Sequence, residues 1–267
     1  SESIATEFGT LVDATEEAIA ITLQASQRIN YIELKNKFII GCKKLAQKYP
    51  EAWKKLDKSN RTYTEKMYTY LESAIYRLEQ FMIDHPDLEI IGIEQKFEYD
   101  YDGVHSFTGS IDRAFINKIT GEILIQDIKT WPVPAQNSEL KAPAQFTVYA
   151  IAAQQLWGAE ADKIKCEYDL PLCDLRQASF SEDIIADGRP QLDKWFAGIT
   201  EGNFKPTVSA LCNWCQYSPL ANPSLISTKP GAICPYCSTW QKSGDYVRDV
   251  LCKREGPENI DVDRQLI

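Results

Sequence analysis

The sequence predicts an α/β protein in three segments: a helical lobe over 1–87, a core of strands and helices over 88–205, and a cysteine-rich segment over 206–267. Three observations predict it. Apolar residues recur at helical spacing through the first third, the pattern turns to short strands at Leu88, and four late cysteines fall in two C-x-x-C pairs.

The helical segments are "GTLVDATEEAIAITLQASQ", "YIELKNKFIIGCKKLAQKY" and "TEKMYTYLESAIYRLEQFMI". Pro86 in "DHPDLE" closes the lobe, because proline disfavours helix at the residue before it. Strands are predicted in "LEIIGIEQKFEY", "SFTGSIDRAFIN" and "EILIQDIKT". A helix follows in "APAQFTVYAIAAQQLWG", with Pro143 near its first turn and Gly158 as its stop. "KIKCEYDLPL" reads as a further strand and "RPQLDKWFAGITEG" as a helix.

Composition is that of a globular protein, 44% hydrophobic and 25% charged. No apolar run approaches the roughly 18 residues of a membrane span, and no secretory leader is read. A cytoplasmic protein with no membrane partner is the expectation. The net charge of −9 speaks against a protein that coats nucleic acid. It is unevenly spread, however: residues 27–80 hold 12 Lys and Arg against 6 Asp and Glu. A basic lobe on an acidic body is compatible with local phosphate binding.

The strands flanking "KITG" carry the chemistry. If Lys118 to Gly121 is a four-residue hairpin loop, Ile116 faces Ile123, Ala114 faces Ile125 and Asp112 faces Asp127. Side chains alternate along a strand, so these pairs share one face: apolar, apolar, then two carboxylates. Directly opposed Cβ atoms lie about 5 Å apart, where two anions repel. Lys129 stands two residues on, on the same face, but one ammonium only partly compensates two acids. An oxygen-seeking divalent cation, Mg²⁺ or Mn²⁺, fits better. Taken by itself, a D-x-K is more often a solvated hairpin rim.

"GSIDRAFINKITGEILIQDIKT" followed by "QFTVY" resembles the PD-(D/E)XK nuclease superfamily, in particular its RecB-like branch. That branch looks like G-x-[IV]-D-[RL], a hairpin, D-x-K-[TS], then Q-x-x-x-Y on the next helix. Gly109, Asp112, Asp127, Lys129, Thr130, Gln145 and Tyr149 stand at those places. "IGIEQKF" resembles the branch's glutamate-bearing strand, here Glu94. "FGTLVD" resembles the first-helix motif G-T-x-x-H, with Asp13 where the branch has histidine. "GNFKPTVSALCNWCQY" resembles its cysteine-bearing tail.

The resemblance implies a restriction-endonuclease-like mixed sheet flanked by helices, and metal-dependent DNA hydrolysis, exonucleolytic on ends or single strands. Asp112, Asp127 and the Ile128 carbonyl would hold the metal, with Glu94 and Asp13 as further ligands. Asp13 is equally readable as an ordinary helix-surface acid. Lys129 would position or activate the water, and Gln145 and Tyr149 would shape the substrate side. A helicase or a fused upstream domain is compatible as partner.

Cys212, Cys215, Cys234 and Cys237, with 18 residues between the pairs, suit a structural zinc site by spacing. Four thiolates equally suit a 4Fe–4S cluster, which the resemblance favours. The branch takes one such cysteine from before its first helix; no cysteine precedes that helix in this sequence.

For DNA contact the lobe offers Lys43, Lys44, Lys54, Lys55 and Trp53, among other lysines and tyrosines. Ammonium groups track phosphates and exposed aromatics stack on bases. Alternatively the aromatics face the core and the lysines face water. Two rival functions stay open: a non-catalytic DNA-binding subunit with the same fold, and a zinc-dependent protein-interaction module.

Overall fold

The computed structural model of the chain describes residues 3–136, 140 and 144–202. It divides into two compact units, Ser1–Phe196 and Ala197–Ile267, and the first holds both the helical lobe and the sheet.

Helices α1 (Ile4–Gln24), α2 (Tyr31–Lys48), α3 (Pro50–Trp53), α4 (Tyr63–Glu72) and α5 (Arg77–Asp84) make the lobe. Their starts follow capping chemistry. The Ser3 side chain accepts from the Thr6 N–H, Asn30 from Glu33, and Thr62 with Glu65 forms a reciprocal capping box. The helix expected over 64–83 is broken into two. Ser73 Oγ donates back to the Thr69 carbonyl at 2.8 Å, and a 3₁₀ turn, Ala74–Tyr76, separates α4 from α5.

Strands β1 (Leu88–Asp100), β2 (Ser106–Asn117) and β3 (Ile123–Ile128) follow. Helix α6 (Ala144–Trp157) then crosses over to β4 (Ile164–Leu170), which turns back into β5 (Leu175–Ala178) before α7 (Ile184–Thr200). The sheet order is β1-β2-β3-β4-β5. All neighbours are antiparallel except β3 and β4, so the sheet is mixed, as expected. The parallel pair is the one joined by a helix, since parallel strands need a long crossover.

Two differences from the sequence expectation have local causes. The short strand β5, "LRQA", has no apolar alternation and was not predicted; it is carried as the return of a turn in which Asp174 adopts φ +51°. Helix α7 begins five residues before the expected start. Asp183 Oδ1 accepts from the Ala186 N–H at 2.9 Å and caps it, leaving Pro190 inside rather than at the first turn.

The β2–β3 hairpin has the predicted register. Ile116 pairs with Ile123, Ala114 with Ile125 and Arg113 with Gln126, and the turn closes with Asn117 N–H on the Glu122 carbonyl at 2.8 Å. Gly121 supplies the positive φ of +73° that the turn requires. Alternation then gives the sheet two different faces. Ala114, Ile123 and Ile125 pack beneath α6 with Phe146 and Tyr149, while Phe115 packs among the lobe helices with Leu78 and Phe81. Among the described residues, no helix is long and apolar enough to cross a membrane.

Candidate active site

Asp127 lies on the α6 face of β3 and is 1% exposed. Its Oδ1 accepts from Gln145 Nε2 at 2.9 Å and from Tyr149 Oη at 3.2 Å, the two residues being one turn apart on α6. Gln145 Nε2 also reaches Tyr149 Oη at 2.7 Å. Lys129 Nζ stands 2.7 Å from Asp127 Oδ2 as an ion pair. The same oxygen is buried and receives no well-directed hydrogen bond, so its pairing is one of charge. Asp127 and Lys129, on one side of a core strand, are thus each other's counter-charge.

Asp112 precedes Arg113 on β2 and so sits one step beyond the last paired position of the hairpin. Its Oδ2 turns across the strand gap to accept from the Ile128 N–H at 2.7 Å. The structure thus places Ile128 beside Asp112 through its N–H, whereas the sequence expectation concerned its carbonyl. On β1, Glu94 falls between Ile93, opposite Arg113, and Gln95, opposite Ile111, which is the level of Asp112. Glu94 has φ +45°, a costly backbone for a residue with a side chain. Ser110 Oγ donates to its Oε2 at 3.1 Å; no sequence signal marked that serine.

Asp13 reaches the same place from the lobe. A Cβ added at Gly9 would meet Thr130 Oγ1 at 3.4 Å, so α1 passes close over the end of β3. Asp13 is one turn further along the same helix face. Burial pushes its carboxyl up to about 7, and the charges of Asp112 and Glu94 add to the rise. Burial likewise raises Asp127 to about 6 against the pull of Lys129, and raises Asp112 against the Ile128 hydrogen bond and Lys129. Burial and then Asp112 raise Glu94. Four acids from α1, β1, β2 and β3 therefore share one field, and each is held from ionising as freely as in water.

Among the described residues, no three His, Cys, Asp or Glu side chains are drawn together tightly enough to enclose an ion. The donor chemistry nonetheless fits a hard cation. The converging groups are carboxylates, and the buried Asp127 Oδ2 is met by the Lys129 ammonium without a well-directed hydrogen bond.

The proposed DNA contacts divide. Lys43, Lys44, Lys54 and Lys55 are exposed. Trp53 is a correction: it is 9% exposed, stacks on Tyr63 and donates to Thr64 Oγ1 at 2.9 Å, so its ring closes the lobe's core and offers no face to a base. Arg61 also turns inward, onto the carbonyls of Leu172 and Pro132. Cys212, Cys215, Cys234 and Cys237 lie outside the described residues.

A mixed sheet that presents acid, acid and lysine from two neighbouring strands, flanked by helices, is a restriction-endonuclease-like nuclease core. A family model described as the PD-(D/E)XK nuclease superfamily matches residues 1–220, and the chain belongs to that superfamily. Its members are nucleases that generally use divalent metals such as Mg²⁺. No curated protein matches the chain significantly.

Proposed function

We propose that this chain is a divalent-metal-dependent deoxyribonuclease of the RecB-like branch, acting from the ends of single-stranded DNA. The observation that carries the reading is the Asp127 constellation: a buried carboxylate opposed by Asp112, charge-paired to Lys129 and oriented by Gln145 and Tyr149. Asp112 and Asp127 would hold the cation, with the Ile128 carbonyl, Glu94 and Asp13 as further donors. When bound, Mg²⁺ or Mn²⁺ supplies Lewis acidity toward a phosphoryl oxygen and a lowered pKa for the attacking water.

The chain's own groups do the rest. Lys129 pairs with Asp127 and keeps 26% of its side chain exposed. It can orient the water and offset charge that grows on the phosphate. Gln145 and Tyr149 fix which oxygen of Asp127 faces the site. A groove of 480 Å³ lies over β1 and β2, lined by Lys96, Phe97, Glu98, Thr108, Gly109 and Ser110. Ser110, one of its residues, is also the one that holds Glu94, and Lys96 and Thr108 are exposed there for a phosphate chain. The exposed lysines of α2 and of the segment after α3 offer further charge to a phosphate chain.

The test is incubation of the purified chain with end-labelled single-stranded DNA and Mn²⁺. Stepwise shortening from one end that stops on chelation is the expected result. Binding without cleavage under every divalent ion would replace the reading with that of a non-catalytic DNA-binding subunit, a role to which aspartate at position 13, in the histidine's place, is suited.

We assign Cys212, Cys215, Cys234 and Cys237 to a structural metal centre, an iron–sulfur cluster in preference to zinc. Anaerobically purified protein is expected to be brown with broad visible absorption. Colourless protein carrying one zinc per chain would reverse the preference.

A further inference from the structure

Behind the acidic pair, on the lobe face of the same strands, lies a buried charged network that the reaction itself does not use. Arg113 is 1% exposed. Its three nitrogens go to three different elements. Nε donates to Gln126 Oε1 on β3 at 2.8 Å, Nη1 to Glu16 Oε2 on α1 at 3.2 Å, and Nη2 to Asp169 Oδ2 on β4 at 2.8 Å.

Each group in this set adjoins a residue of the site. Arg113 follows Asp112 in the chain, and Gln126 precedes Asp127. The Asp169 carbonyl accepts the backbone N–H of Lys129 at 2.9 Å. Glu16, one turn from Asp13, is held a second time by Tyr70 Oη at 3.0 Å. One guanidinium therefore ties together the three chain segments that deliver Asp13, Asp112, and Asp127 with Lys129, and the strand β4 that holds the Lys129 backbone. Stability alone does not account for it, because a well-packed apolar core of equal volume is often as stable as a buried ion-pair network. What a three-way fork supplies, and apolar packing does not, is a defined mutual position for the elements it joins.

We infer that Arg113 is a positioning residue. Through Glu16, Gln126 and Asp169 it sets the acidic ligands and the lysine in register, touching neither substrate nor cation. The inference rests on the nuclease reading above, but part of its test does not require turnover.

The experiment compares the full chain with Arg113→Lys, Glu16→Gln, Glu16→Leu, Asp13→Asn and the double variant Glu16→Leu/Asp13→Asn. Mn²⁺ affinity is read by electron paramagnetic resonance titration, and kcat and KM by cleavage of labelled single-stranded DNA, below each variant's unfolding midpoint. A lysine ammonium has its donors on one nitrogen and lacks the planar fork that reaches three separated partners. Arg113→Lys is expected to bind Mn²⁺ about 10-fold more weakly and to lose about 100-fold in kcat, with KM for DNA unchanged. Glu16→Gln, which keeps an acceptor for Arg113, is expected to lose less than Glu16→Leu. The double variant is expected to be no slower than Asp13→Asn alone, since both changes act on one helix position.

Folded Arg113→Lys with wild-type Mn²⁺ affinity and kcat would overturn the inference. So would fully additive losses in the double variant. If Arg113→Lys does not fold, the Glu16 series decides by the same two criteria. If the wild type does not cleave DNA, the nuclease reading fails separately and the Mn²⁺ titrations still decide the positioning role.

Discussion

Lys129→Ala is expected to lower the rate of single-strand cleavage by about 10³-fold, with DNA affinity nearly unchanged. The lysine follows the end of β3 with its Nζ 2.7 Å from Asp127 Oδ2 and a quarter of its side chain exposed. That places its charge where the water and the phosphate would meet, and away from the lobe lysines that would hold the strand. Losing it also removes the ammonium that pairs with Asp127, whose carboxyl already sits at about 6 through burial. Single-turnover rates and a binding titration on the same preparation check the prediction. Retention of a rate within tenfold of wild type would remove Lys129 from the chemistry.

The second large effect is on stability. Asp169→Ala is expected to cost about 3–5 kcal/mol, the usual loss when one partner of a buried ion pair is removed. Asp169 is 2% exposed and accepts from Arg77 Nη2 at 2.7 Å and Arg113 Nη2 at 2.8 Å, with Arg176 Nε 3.7 Å away. Burial pushes its carboxyl up, but the charges of Arg113, Arg77 and Arg176 outweigh that and hold it below the usual carboxylate range. Alanine leaves Arg113 buried, and Arg77 and Arg176 half-buried, with less counter-charge. Domains are stable by only about 5–15 kcal/mol, so the variant would be near its threshold at room temperature.

The pH sign follows from the depressed carboxyl. Its stabilisation is present above the ordinary aspartate pKa and is lost as pH falls through the lower folded value. Asp169→Asn should therefore lose part of the wild type's sensitivity between neutral and acid pH. Urea unfolding at two pH values measures both effects. A difference below about 1 kcal/mol at neutral pH would show that the network is not coupled to folding.

The hairpin and its acids were legible because the evidence is local. A strand's side chains repeat every two residues, so the apolar pairs Ile116–Ile123 and Ala114–Ile125 dictate the register that aligns Asp112 with Asp127. Gln145 and Tyr149 were legible as a same-face pair by helical spacing, and both reach Asp127. The direction in which Trp53 points was not, since an aromatic among lysines reads alike whether it packs on Tyr63 or awaits a base. Nor did spacing reveal the left-handed backbone of Glu94 or the approach of α1 to Thr130, both set by packing between elements distant in sequence. The Arg113 network was hidden for the same reason: its partners lie on α1, β3 and β4, and a charged residue within a strand looks like the solvent side of an alternating pattern.

The most direct measurement is a crystal structure of the chain grown with Mn²⁺, with data collected near the manganese absorption edge. The account predicts an anomalous peak bridging the carboxylates of Asp112 and Asp127, with the Lys129 ammonium alongside. An empty position there, with Asp112 and Asp127 directed away from each other under saturating Mn²⁺, would contradict it.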